Sequence, residues 1–159
     1  MAVSPNSPIL GGMDTIHAVL VDELLPRRGN TGGWGYRSGG KYSAEATALA
    51  TLVGWQQLDA SAKRSILDYW KTCQLPDGSW SSMAPSSLAG NWPTAIRANT
   101  LAQVAPEHPS LPKALRSLVA ARPGEAFCFW RLKFRTTDTQ VRFDPTKYGW
   151  GWVSDSVSW

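Results

Sequence analysis

Residues 64–80 read Arg-Ser-Ile-Leu-Asp-Tyr-Trp-Lys-Thr-Cys-Gln-Leu-Pro-Asp-Gly-Ser-Trp, a helical pattern that stops at Gln74. Pro76 and Asp77-Gly78 favour a turn, because proline fixes φ, aspartate caps backbone groups and glycine tolerates a positive φ. The turn returns Trp80 toward the helix end. The last carbonyls of a helix have no partners within it. We therefore expect the Gln74 amide to donate to those carbonyls and the Trp80 indole to lie against that amide.

The same turn recurs along the chain. Gly33-Trp34-Gly35-Tyr36 precedes an Ala- and Leu-rich stretch, as Gly78-Ser79-Trp80 precedes residues 92–101. The two tryptophans are 80 − 34 = 46 residues apart, and the Thr-Ala pairs that begin at Thr47 and Thr94 are 94 − 47 = 47 apart. A third Gly-Trp run at residues 149–152 ends 152 − 80 = 72 residues after Trp80, so it follows an insertion. Such self-similarity predicts a repeat architecture.

Between the turns the apolar residues follow a helical period. Each of these segments is too short to be a stable helix alone in water, so the helices must pair. The third segment, residues 60–73, begins after a capping residue, Asp59 or Ser61, and in the fourth Pro93 suits a first helical position. The predicted helices are residues 10–25, 44–55, 60–73, 93–104 and 111–121.

Residues 64–80 resemble the QW motif of the squalene/hopene cyclase and protein prenyltransferase β-subunit superfamily. The motif positions are filled by Arg64, Ser65, Tyr69, Gln74, Gly78 and Trp80. Ser65 stands where glycine or alanine is usual, and Trp70 where an aliphatic residue is usual. The resemblance covers residues 15–121, with a further Gly-Trp unit at 148–159. It implies an all-α fold, an α/α toroid in which inner and outer helices alternate around a ring.

Two hairpins do not close such a ring, so we expect residues 1–159 to form a single, incomplete toroid domain of a larger protein. After Ser158-Trp159 the resemblance implies a further inner helix that the sequence does not contain. Residues 126–144 break the helical pattern and predict a short extended or β insertion with five Lys or Arg residues around it. That insertion is either a solvated hairpin or a contact surface for an acidic or phosphorylated partner.

Composition excludes several classes of function. The net charge of +4 comes from scattered Lys and Arg residues, which argues against a nucleic-acid-binding surface. Cys73 and Cys128 form no C-x-x-C pattern, so neither a disulfide framework nor a zinc knuckle is expected. No apolar stretch is long enough to span a bilayer and no signal peptide is evident. We therefore expect a cytoplasmic protein, or one that lies at the periphery of a membrane.

The resemblance to class II terpene cyclases implies a protonated carboxylic acid in an Asp-x-Asp-Asp-Thr-Ala sequence that begins an inner helix. In that register residues 43–46 are Ser-Ala-Glu-Ala and residues 90–93 are Gly-Asn-Trp-Pro. Glu45 is the candidate acid, although a glutamate at this place more often stabilises a helix N-terminus. Prenyltransferases of the superfamily hold zinc, which needs three converging ligands. His17, His108 and the two cysteines do not suggest such a site, and no cofactor is indicated.

Nine tryptophans in 159 residues suit either a repeat that reuses tryptophan or a pocket with aromatic walls. Aromatic faces stabilise cations, and four residues are candidates for the lining of a pocket. Trp92 is the strongest of them, because it begins an inner helix. The candidates are Trp92, Trp34, Tyr36 and Trp150.

These observations leave two hypotheses. In the first, the chain is part of an isoprenoid-processing, terpene-cyclase-like protein whose catalytic acid lies outside this segment. In the second, it is a non-catalytic repeat scaffold that binds an isoprenoid, a peptide or a second subunit. An open stack of hairpins exposes an apolar inner face, so its expected partners are an apolar ligand, a second copy of the chain or the other half of the toroid.

Overall fold

The computed structural model describes residue 15 and residues 18–19, 21–29, 32–37, 39–83 and 88–122. Residues 21–24 are helical and continue into a 3-10 turn at Leu25–Arg27. Four α-helices follow, which we number in chain order. They are α1 at Ala44–Gly54, α2 at Ala60–Thr72, α3 at Asn91–Val104 and α4 at Ser110–Ala120. The predicted all-α fold is confirmed for these residues.

The starts of α1 and α2 follow from their capping residues. Ser43 and Asp59 are extended, and each side-chain oxygen accepts a hydrogen bond from the backbone N–H three residues later, at Ala46 and Ala62. These bonds satisfy donors that have no partner within the helix. Of the two caps that the sequence left open for α2, the structure therefore uses Asp59. The buried face of α2 consists of Ala62, Ile66 and Trp70.

The start of α3 differs from the prediction by two residues. The helix begins at Asn91 after an extended Gly90, so Pro93 lies at its third position rather than its first. Proline is still accommodated there, because the N–H groups of the first turn have no acceptor within the helix. In front of α4, the Ser110 N–H donates to Nδ1 of His108. His108 therefore accepts a bond from a backbone donor that has no partner within α4.

The helices pack through α3. Helix α1 packs against α3, and α3 packs against α4. Helix α2 joins the same core through Ile66 and Trp70, neither of which is exposed to solvent. Antiparallel bridges join Ser43 to Met83 and Trp80 to Gly90. The segment 80–83 therefore lies between the starts of α1 and α3, which places these two N-termini at the same end of the structure.

No helix among the described residues is both long enough and apolar enough to cross a membrane. The predicted insertion at 126–144 lies outside the residues that the structure describes. The described residues form two helical repeats, which are too few to close a ring, so the toroid stays a prediction.

Gly78→Ala should destabilise the protein by roughly 2–4 kcal/mol. The glycine has a φ of +88°, and a Cβ atom there would lie 2.5 Å from the Lys113 carbonyl oxygen in α4. Gly39→Ala is the matched control, because Gly39 has a φ of +69° but its Cβ would have no neighbour within 4 Å. Urea unfolding of both variants measures the difference. Equal losses at the two positions would mean that the turn does not depend on its close approach to α4.

Candidate functional site

Trp80 is bonded to the helix on either side of its turn. Its backbone N–H donates to Thr94 Oγ1 of α3 at 2.9 Å, and its indole Nε1 donates to the Trp70 carbonyl of α2 at 2.9 Å. The Thr94 hydroxyl in turn donates to the Gly90 carbonyl at 2.5 Å. The Trp70 carbonyl is one of those that a helix leaves without an internal partner at its C-terminus. Trp80 therefore joins the end of α2 to the start of α3.

Trp34 makes the same two bonds one repeat earlier. Its backbone N–H donates to Thr47 Oγ1 of α1 at 2.8 Å, and its indole donates to the Leu24 carbonyl at 2.8 Å. The indole acceptor lies ten residues before the tryptophan in both cases. Trp34 is only 2% exposed. Trp34 was a candidate for the lining of a pocket, but the structure places it in the core.

The backbones of the two turns also match. The Gly29 N–H donates to the Gly33 carbonyl at 2.8 Å, and the Leu75 N–H donates to the Ser79 carbonyl at 2.9 Å. In each turn a bond returns to the first of these residues: Gly32 N–H donates to the Gly29 carbonyl and Gly78 N–H to the Leu75 carbonyl, both at 2.9 Å. The two glycines with positive φ, at +88° in both turns, are Gly32 and Gly78. Gly32 is therefore the equivalent of Gly78, and the Gly-x-Trp spacing that both share is the signal that identifies it. The sequence interpretation paired the tryptophans but did not assign this glycine.

The sequence pattern predicts that Gln74 donates to the end of its own helix. The structure shows other acceptors. Gln74 Nε2 donates to the Gly78 carbonyl within the turn at 2.8 Å and to the Ser110 carbonyl in α4 at 2.9 Å. The helix-end carbonyl is taken by the indole of Trp80 instead. Gln74 thus joins its turn to the following helix. In the first turn its place, 74 − 28 = 46 residues earlier, is taken by Arg28.

Two further residues of the QW-like motif, Arg64 and Tyr69, lie in different surroundings. Arg64 is exposed on α2. Tyr69 is half-buried, and its ring meets the Tyr42 ring edge to face with centroids 4.7 Å apart. The pKa of Tyr69 is raised well above its ordinary value. Desolvation is the largest cause, and a hydrogen bond with Cys73 is the second. Tyr69 is therefore a neutral hydrogen-bonding group at physiological pH.

An exposed face of α1 and α3 carries the other described candidates. On α1, Glu45, Leu49 and Val53 follow one another at intervals of four, and therefore lie on the same side of the helix. Leu49 and Val53 are 49% and 40% exposed. Trp92, 43% exposed, is the equivalent on α3 of Glu45 on α1, since 92 − 45 = 47. We call this set, with Tyr36, the α1/α3 face.

Tyr36 and Glu45 are hydrogen-bonded to each other on this face. The Tyr36 hydroxyl donates to Glu45 Oε2, and this bond is the main reason that the pKa of Tyr36 is raised. Tyr36 is 72% exposed. The carboxyl group of Glu45 accepts this bond through one of its oxygens. The observed bond thus fits Glu45 as an acceptor that holds the Tyr36 ring.

A group that sequence reasoning missed surrounds Arg97 of α3. The Arg97 side chain is 1% exposed, and its Nη2 donates to the Tyr42 hydroxyl at 2.8 Å. Trp70 Nε1 donates to the same hydroxyl at 3.1 Å. The guanidinium also lies over the rings of Tyr42 and Trp80, 5.4 and 5.5 Å from their centroids. A basic residue among apolar helix positions was the one signal of this cluster in the sequence.

Among the described residues, no three His, Cys, Asp or Glu side chains come together in a way that could hold a metal ion. His108 is half-buried, and desolvation and the nearby Lys71 lower its pKa. Three residues considered in the sequence analysis lie outside the described part of the chain: His17, Cys128 and the candidate pocket residue Trp150.

No family model matches the chain, and no curated protein matches it.

Thr94→Val should destabilise the protein by roughly 1–3 kcal/mol. Valine keeps the shape of the buried side chain but leaves the Trp80 N–H without its acceptor. Thr47→Val should have a similar effect in the first turn, since the Trp34 N–H is bonded in the same way. Chemical denaturation measures each loss.

Thr72→Val is the matched control for the threonine variants. Its exposed hydroxyl donates to the Asp68 carbonyl on the surface of α2, so we expect a change of no more than about 0.5 kcal/mol. If all three variants lost the same free energy of unfolding, the two turn bonds would stabilise the protein no more than a hydrogen bond on its surface.

Proposed function

We propose that this chain is a terpenoid-cyclase- or prenyltransferase-like repeat domain of an isoprenoid-processing protein, in which the α1/α3 face binds the apolar ligand. The main support is that the turns of Trp34 and Trp80 have the same hydrogen bonds, one from the indole and one from the backbone N–H. We call each of them the Trp turn. The turn is the feature on which the resemblance to that superfamily rests. Its repetition supports the view that α1 and α3 occupy equivalent inner positions.

The composition of the α1/α3 face suits an isoprenoid chain. A long hydrocarbon offers no hydrogen bonds, so it binds where apolar side chains are exposed and lose water on contact. Tyr36, Leu49 and Trp92 supply such area, and each is at least 43% exposed. Two aromatic rings on the face would also stabilise positive charge on a bound ligand.

In this proposal the domain supplies binding and a part of the cavity wall, and the catalytic acid comes from another part of a larger protein. Glu45 is the described carboxylate on the face, and it accepts a hydrogen bond from Tyr36. Its equivalent in the next repeat is Trp92. An acid that protonates an alkene needs a second carboxylate or hydrogen bonds that hold it in its protonated form.

The alternative is a non-catalytic scaffold whose α1/α3 face binds an isoprenoid, a peptide or a second subunit. This alternative is favoured by the residue at the position equivalent to Glu45, which is Trp92 and not an acidic residue. Either function would place the protein in the cytoplasm or at the surface of a membrane into which an isoprenoid partitions.

Titration of the full chain with squalene, dispersed in detergent, tests the proposed binding. Quenching of tryptophan fluorescence should saturate, and Trp92→Ala should weaken the affinity roughly tenfold through the loss of apolar contact area. Trp55→Ala is the matched control, because Trp55 is half-buried beside Lys63 and lies off the α1/α3 face. Unsaturable quenching, or equal losses in the two variants, would contradict a site on this face.

A second measurement separates the two hypotheses. Incubation with squalene or its epoxide, followed by mass spectrometry and chromatography, detects cyclic products. Product formed by the wild-type chain and lost in Glu45→Gln would make Glu45 an acid and overturn the view that the acid lies elsewhere. Saturable binding without product is the outcome we expect.

A further inference from the structure

Arg97 is a buried cation to which no described carboxylate is bonded. Burial is the main reason that the pKa of Arg97 is lowered, and the titratable groups that act against this are Tyr42, Cys73 and Tyr69. Transfer of a charge out of water is unfavourable by several kcal/mol unless a counter-charge and hydrogen bonds offset it. Two aromatic faces and one phenol supply part of that compensation. The cluster therefore has an excess of positive charge.

The hydrogen-bond inventory of the cluster shows the same imbalance. Arg97 Nε is buried, and it has no hydrogen-bond partner in the part of the chain that the structure describes. The Tyr42 oxygen already accepts from Arg97 Nη2 and Trp70 Nε1, and a phenol oxygen has two lone pairs. Arginine and tryptophan side chains are donors only. The cluster thus holds more donors than its own oxygen can accept.

We propose that the Arg97 guanidinium, with the Tyr42 hydroxyl beside it, forms a binding site for the carboxylate group of a small molecule. A carboxylate supplies both the missing negative charge and the missing acceptor, and its planar shape matches the edge of a guanidinium. The aromatic rings of Tyr42 and Trp80 over the guanidinium favour a flat ligand group against a tetrahedral one. This site is separate from the α1/α3 face and does not depend on the proposed isoprenoid ligand.

The groups around Arg97 keep some exposure to solvent, since Tyr42, Tyr69 and Cys73 are half-buried. Arg97 itself is 1% exposed. Entry of a small carboxylate therefore requires one of these side chains to move aside and uncover the guanidinium.

Acetate is the probe for this proposal. The thermal midpoint of the full chain is measured in sodium acetate and in sodium chloride at the same pH and ionic strength. At several times its Kd, acetate should raise the midpoint roughly 2–4 °C above its value in chloride. Inorganic phosphate at the same ionic strength tests the preference for a planar group and should have the smaller effect.

Two arginine variants assign the effect to the site. Arg97→Met should remove the difference between acetate and chloride, because the variant has no guanidinium to bind the anion. Arg64→Met, which removes an exposed arginine from α2, should keep the full response to acetate. The Arg64 variant corrects for general effects of net charge.

Equal midpoints of the wild-type protein in acetate and chloride would overturn the proposal, and this result does not require that any variant folds. Such a result would mean that water is a sufficient acceptor for Arg97 Nε. An acetate effect that persists in Arg97→Met would also overturn it, because the anion would then bind elsewhere. Loss of the effect in Arg97→Met alone supports the site.

Discussion

The hydrogen bonds of the turn tryptophans are the interactions on which the rest of the structure depends. Each tryptophan places one donor on the helix that ends before its turn and a second on the helix that begins after it. The indole N–H satisfies a carbonyl that the first helix leaves without a partner. The backbone N–H is satisfied by a threonine hydroxyl one turn into the second helix. Two helices that would be marginal alone are thereby held at a fixed separation around one buried ring.

The cluster around Tyr42 joins the two repeats to each other. The Tyr42 ring lies where a side chain on Gly33 would be, so the first turn must have a glycine at that point. Its hydroxyl meets Trp70 of α2 and Arg97 of α3. A single phenol therefore contacts the first turn, α2 and α3. The conformation of Tyr42 and the charge on Arg97 are linked in this way to the packing of both repeats.

The aromatic residues of this chain divide into two groups by their surroundings and not by their type. Trp34 and Trp80 are buried, and their indole N–H groups are bonded to helix ends. Trp92 is exposed at the start of α3, and Tyr36 is exposed in the segment before α1. Tryptophan contributes both apolar area and a donor, and the turn uses both at once. The exposed pair retains apolar area that a ligand can cover, which is why the proposed function rests on the α1/α3 face.

The sequence alone determined helices α1 to α4, because apolar periodicity and capping residues act over a few neighbouring positions. Most of the predicted helix at 10–25 lies outside the described residues. Ser43 and Asp59 fix the starts of α1 and α2, and the spacing of 46–47 residues predicts the repeat of the Trp turn. The start of α3 was misplaced by two residues, since Gly90 is held by its bond to the Trp80 carbonyl rather than by a local cap.

Only the tertiary structure decided the partners of long polar side chains. Gln74 reaches Ser110 in α4, 36 residues away, and Arg97 reaches Tyr42, 55 residues away. Such contacts depend on which helices pack side by side, and a hydrophobic pattern does not encode that choice for a side chain with several polar atoms. For the same reason the exposure of Trp92 and the burial of Trp34 follow from the packing of the repeats and not from the residues that flank them.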